Sequence, residues 1–205
     1  MILATSFAVS SEQCKLGAEL CSDNANRLWE DAALLLRKRK YATASCLAIY
    51  TIEEAGKGIE LLRLFKTGRN LSESKWKRLS RGKAHEKKIL AGQKLAQKSI
   101  ETLFQNLNIR HEVISDRFQE VMSKHYQWRK ERYLYVDLDE NHWVSPITAF
   151  GKGQLILAIM VLVEAFYACM ELSNELNREA ANLEGEYHSL IDFISDELAK
   201  LSNKD

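Results

Sequence analysis

The chain has 205 residues, with 29 Lys and Arg against 28 Asp and Glu, a formal net charge of +1, and 46% hydrophobic residues. That is an ordinary globular composition. It is long enough to bury a core without metal or disulfide staples, and too evenly charged for a basic nucleic-acid coat or a polyacidic tail. A single proline argues against a turn-rich sandwich or barrel and for long helices.

The apolar spacing is helical almost throughout. A first helix is predicted from Ser11 to Arg37, with Leu16, Leu20, Leu28, Ala32 and Leu35 at three- and four-residue intervals. The basic run Arg37 to Lys40 falls at its C-terminal end, where cations suit the helix dipole; a solvated helix terminus is its plain reading. A second helix spans Tyr41 to Phe65 and is apolar around most of its circumference, so it is expected to be buried on most sides. Thr67 to Asn70 reads as a loop, followed by a short basic segment, Lys75 to Lys83. A third helix starts near Ala84 and runs to Asn106, and a fourth covers Val113 to Arg132. Tyr133 to Asn141 reads as extended and turn-like. Ser145-Pro146 is a helix start, Ser as N-cap and Pro in the first turn, opening a fifth helix to Asn177. A sixth, Leu183 to Leu201, places Tyr187, Leu190, Ile191, Ile194 and Leu198 on one face. The expectation is one all-α domain over residues 1–205, a bundle of five or six helices with its core over 11–179 and a C-terminal helix over 183–201.

The four cysteines, Cys14, Cys21, Cys46 and Cys169, form no C-x-x-C pair and no zinc-spaced cluster. Cys14 and Cys21 share a helical face, which suits core packing. Met1 to Ser10 lacks a basic start and a long apolar stretch, so no signal peptide is expected, and a reducing cytoplasm is the expected location. The apolar run from Leu155 to Met170 is shorter than the ~18–20 residues needed to span a membrane, so a buried core helix, and no membrane contact, is expected.

Three segments carry candidate chemistry. In Glu53-Glu54-Ala55-Gly56-Lys57, Lys57 can reach Glu53 at i,i+4 or Glu54 at i,i+3. On so apolar a helix a carboxylate must be paired, hydrogen-bonded or neutral. Gly56 and Gly58 each cost roughly 1 kcal/mol in a helix interior, which points to a closely approaching helix, chain or ligand. The set is either a buried salt bridge that fixes packing or a functional site. In Lys83-Ala84-His85-Glu86-Lys87-Lys88, a histidine in the first turn of a helix is biased towards neutrality and suits a general base. Arg129 to Asp137 places Arg129, Arg132, Tyr133 and Tyr135 beside acidic Asp137; arginine forks bind phosphate and tyrosine stacks on bases.

Taken in order, E-E-A-G-K at Glu53 to Lys57, K-A-H-E-K-K at Lys83 to Lys88, and L-Y-V-D at Leu134 to Asp137 followed by Pro146 resemble the AbiV family of bacterial abortive-infection proteins. That family is similar to a branch of the HEPN (higher eukaryotes and prokaryotes nucleotide-binding) superfamily. Arg39 to Ala44 resembles the family's lead-in, and the resemblance spans about Leu28 to Met170. It implies an all-α bundle, usually dimeric, that halts phage growth in the infected cell. Many HEPN proteins are metal-independent ribonucleases with an R-x(4–6)-H motif at a dimer interface. Arg78 and His85 satisfy that spacing, ahead of the third helix, although in the superfamily the motif usually opens a late one; Arg132 is the alternative arginine.

Two readings follow. In the first, the protein is a ribonuclease toxin. His85 serves as base or acid, Arg78 or Arg132 clamps the phosphate, Lys57 adds charge, and Glu53 or Glu54 orients His85 or Lys57. The basic stretch Lys75 to Lys88, with Lys83, Lys88 and Trp76 in it, guides RNA, helped by Arg129, Tyr135 and Asp137. In the second, the same polar set is a network that fixes helix register or holds a ligand. The protein is then a non-catalytic switch that senses a phage product and sequesters a host factor. A homodimer is expected from the apolar fifth helix and from the resemblance, and a phage-encoded activator is an expected partner. No cofactor is expected, and Glu53, Glu54 and His85 offer too few ligands for a metal.

Overall fold

A helix that is apolar all round can only be satisfied at the centre of a bundle. The computed structural model describes residues 8–80, 85–106, 137–139, 142–144, 153–178 and 181–202. It places six helices among them: α1 (Ser11–Arg37), α2 (Tyr41–Lys66), α3 (Glu73–Ser80), α4 (His85–Asn106), α5 (Gly153–Glu175) and α6 (Ala181–Ser202). Helix α2 packs against α1, α4 and α5. Its buried residues include Ile49, Ile52, Ala55, Ile59, Leu61, Leu62 and Leu64, each large aliphatic stabilising the fold by about 1.5–3 kcal/mol. The predicted first, second, third and sixth helices match these bounds closely. The fifth is described from Gly153 onward. The predicted fourth helix and the Ser145-Pro146 start lie outside the described residues.

Local signals account for the helix ends. Ser10 and Gln13 form a reciprocal capping box at the start of α1. Helices α1, α2 and α5 each end in a left-handed residue, Arg39, Gly68 and Asn177. Each is followed by an amide that reaches back five residues, as from Lys40 to the Leu35 carbonyl and Arg69 to that of Leu64.

One segment departs from expectation. The basic segment read over Lys75 to Lys83, to which the sequence assigns no helix, overlaps a helix over Glu73 to Ser80. Lys77 pairs with Glu73 across one turn at 2.6 Å, a local contact that offsets the repulsion among neighbouring cations. Two short antiparallel ladders complete the fold. Ala8–Val9 (β1) pairs with Leu71–Ser72 (β2). Asp137–Asp139 (β3) pairs with His142–Val144 (β4), within and just beyond the stretch read as extended and turn-like.

Buried side chains join the helices at specific points. Trp29 donates from its indole nitrogen to the Leu162 carbonyl at 3.1 Å, tying α1 to α5. Ser22 and Ser173 share a buried hydrogen bond of 3.3 Å. Tyr187 of α6 stacks on Phe166 of α5 with centroids 3.9 Å apart, while Arg37 binds Glu186 at 2.7 Å. All four cysteines are buried and none is in a disulfide, which suits the core-packing reading.

Candidate catalytic site

The site begins with two glycines. A Cβ on Gly56 would stand 1.8 Å from the Lys88 carbonyl oxygen, and one on Gly92 would stand 2.1 Å from that of Ile52. Backbone therefore meets backbone where α2 crosses α4, closer than any side chain permits. This is the close approach that Gly56 predicts. Gly58 meets Leu172 and Cys21 instead, from α5 and α1.

That crossing sets Glu53 of α2 against the first turns of α4. Glu53 is only 4% exposed. Its Oε1 accepts from His85 Nδ1 and pairs with Lys88 Nζ at 2.6 Å. His85 and Lys88 are three residues apart, hence on one face of α4. Lys88 is buried as deeply as its partner, with side-chain exposures of 7% and 5%. A carboxylate paired with an ammonium accepts hydrogen bonds and donates none. The proton of neutral His85 is therefore on Nδ1, and the basic lone pair is on Nε2. His85 keeps 30% of its side chain exposed, so the imidazole joins a sealed carboxylate to the surface. This is the arrangement by which a carboxylate orients a general base.

Glu54 does something different. It holds Lys57 at 3.1 Å across one turn, with both side chains partly exposed. Of the two open pairings for Lys57, the i,i+3 pair with Glu54 is formed, and Glu53 is engaged by α4. Cys21 of α1 lies beside this pair, and burial pushes its thiol up to about 12. For Lys57, burial acts to lower the pKa, but Cys21 and Glu54 outweigh it and the net direction is upward. The thiol is neutral near pH 7, so Glu54 is the partner that matters there.

Of the other sequence-predicted residues, Arg78 belongs to α3, with its side chain outside the described residues. Asp137 pairs with Val144 in the β3–β4 ladder. Lys83, Arg129, Arg132 and Tyr135 lie outside the described residues. The structure thus joins Glu53, His85 and Lys88, and leaves Glu54, about 100° around α2 from Glu53, to pair with Lys57. Sequence reasoning placed Lys88 only among RNA-binding cations, not as an ion partner of Glu53, and it missed Gly92. The cost of glycine in the middle of a helix was the available signal. Among the described residues no three His, Cys, Asp or Glu side chains gather as a metal site, and no helix is long and apolar enough to cross a membrane.

A family model described as AbiV, of the HEPN group, matches residues 13–184. No curated protein matches the chain, and no solved structure does. The match covers most of the sequence, all of α2, α3, α4 and α5 and all but the first two residues of α1, including the Glu53–His85–Lys88 cluster. The chain therefore belongs to the AbiV family of HEPN-type abortive-infection proteins.

Proposed function

We propose that the protein acts in abortive infection as a metal-independent ribonuclease with His85 at its centre. The observation that carries this reading is the imidazole seated on a buried carboxylate, with its other nitrogen carrying the base. Transesterification of RNA needs three things: a base for the 2′-hydroxyl, an acid for the departing 5′-oxygen, and cations for the charge on the pentavalent phosphorus. His85 Nε2 takes the 2′-hydroxyl proton. The freed oxygen attacks phosphorus, the bond to the 5′-oxygen breaks, and that oxygen gains a proton. The products are a 2′,3′-cyclic phosphate and a 5′-hydroxyl. Glu53 stabilises the imidazolium that forms. Arg78 or Arg132 supplies the phosphate clamp, Lys88 adds positive charge beside the base, and Lys57 adds charge from the neighbouring face.

A homodimer brings a second histidine within reach and supplies the missing acid. Light scattering at micromolar concentration should report twice the chain mass; a monomer counts against this part.

The test of activity is incubation of purified protein with total RNA, with and without EDTA. Cleavage should survive EDTA and fall by about 10²-fold or more in His85→Ala, with the thermal melt retained. Cleavage that persists at the wild-type rate in His85→Ala sinks the proposal.

A second reading is favoured by the near-complete burial of Glu53 and Lys88. On it the triad locks α2 to α4, and the protein is a switch that responds to a phage-encoded activator. Absence of cleavage, with a specific partner recovered from infected cells, supports that reading.

A further inference from the structure

Beside the Glu53–His85–Lys88 cluster lies a cavity of about 360 Å³, in the size range of small-molecule sites. Glu60, Lys75, Leu79, Lys87 and Lys88 line it. Among the described residues, three lysines thus line it with one carboxylate, and Arg63 already binds that carboxylate. Lys88 is nine-tenths buried. An ammonium has three donors, and Glu53 takes one of those of Lys88. Among the described residues, neither Lys75 nor Lys87 is paired with a carboxylate, whereas Lys77, next to Lys75 but one, is held by Glu73. Leu79, 7% exposed, supplies an apolar wall.

A buried ammonium that spends one donor on Glu53 among the described residues, in a cavity whose described lining is net positive, suits a tetrahedral oxyanion. Lysines bind phosphate as point charges and do not demand the planar fork that a carboxylate shares with arginine. The volume exceeds that of a lone phosphate and leaves room for the attached nucleoside against Leu79. We propose that this cavity is a phosphate-ester site that receives the nucleotide next to the cleaved bond of an RNA strand. The identity of the ligand rests on the ribonuclease reading, and Lys88 links the two sites by touching Glu53 on one side and the cavity on the other.

The probe is a short, fluorescently labelled, 2′-O-methylated RNA, which cannot be cleaved, titrated into the full chain, with adenosine 5′-monophosphate as a second ligand. The double variant Lys75→Ala/Lys87→Ala should weaken RNA binding about tenfold or more. It should also flatten the dependence of log K on log salt by roughly 1–1.5. Lys66→Ala, which removes an exposed cation outside the cavity, should change affinity by less than about twofold. Unchanged RNA binding in the double variant overturns the site. Lysine-dependent binding of the mononucleotide without binding of the RNA overturns the strand assignment. Lysine-dependent RNA binding by a wild-type protein that never cleaves unmodified RNA supports the cavity and sinks the ribonuclease reading, so the two failures are distinguishable.

Discussion

Glu53 and Glu54 are adjacent in sequence, identical in chemistry and opposite in circumstance. Glu54 leans along its own helix to Lys57, partly in water. Glu53 is sealed, and its partners come from residues 32 and 35 positions further on in the chain. One step along α2 turns a side chain by about 100°, enough to move it from the α1 side to the α4 side. The pair of residues shows that burial, not residue type, decides whether a carboxylate makes a modest local contact or an expensive tertiary one. Only the tertiary one is tied to a histidine.

Glu53→Gln should have the largest effect. It leaves the buried Lys88 ammonium without its carboxylate, at a cost of about 3–5 kcal/mol in urea denaturation. A loss as small as that of Glu54→Gln would erase the contrast between the two faces. Next is Gly56→Ala, whose new methyl meets the Lys88 carbonyl and the Gly92 amide, neither of which can rotate aside. About 3 kcal/mol or more is expected. Gly58→Ala should cost less, because the nearest atom it meets, 2.7 Å away, is a terminal methyl carbon of Leu172. Equal costs at the two glycines would mean that α4 does not approach α2 as closely as described.

The Glu54 face has its own signature at high pH. The Cys21 thiol is raised from 9.0 to about 12. A raised folded-state value favours the protonated form, so this stability is fully present below pH 9. It is lost as pH rises from 9 towards 12, where the unfolded chain has already released the proton. Lys57 is also shifted upward and contributes with the same sign above its ordinary value of 10.5. Unfolding free energy should therefore decline through this window, and Cys21→Ala should make the decline shallower. An unchanged slope in that variant would remove Cys21 from the account. The smallest effect is expected for Glu54→Gln, at most ~1 kcal/mol, because a partly exposed i,i+3 pair is weak and screened by salt.

Much of the molecule was legible in its residues. The bounds of α1 follow from its apolar spacing and the basic run at its C-terminal end. The central place of α2 follows from its all-round apolar surface, and the close approach at Gly56 follows from the cost of a glycine there. The α3 helix was hidden because it is only eight residues long and rich in cations, too short to show a periodic apolar stripe, and its buried contact, Leu79, is a single residue. Lys88 looked like one of several solvated cations, since nothing in a run of lysines says which one faces inward.

By itself, the sequence determined the helical class, the family and the residue types able to do acid–base chemistry, because periodicity, caps and ordered motifs are local properties of the chain. Only the tertiary structure decided which glutamate meets His85, that Lys88 completes the cluster, and that a lysine-lined cavity opens beside it. The reason is geometric. The crossing at Gly56 and Gly92 sets the register between α2 and α4, and that register, not spacing along the chain, determines which charges are buried together.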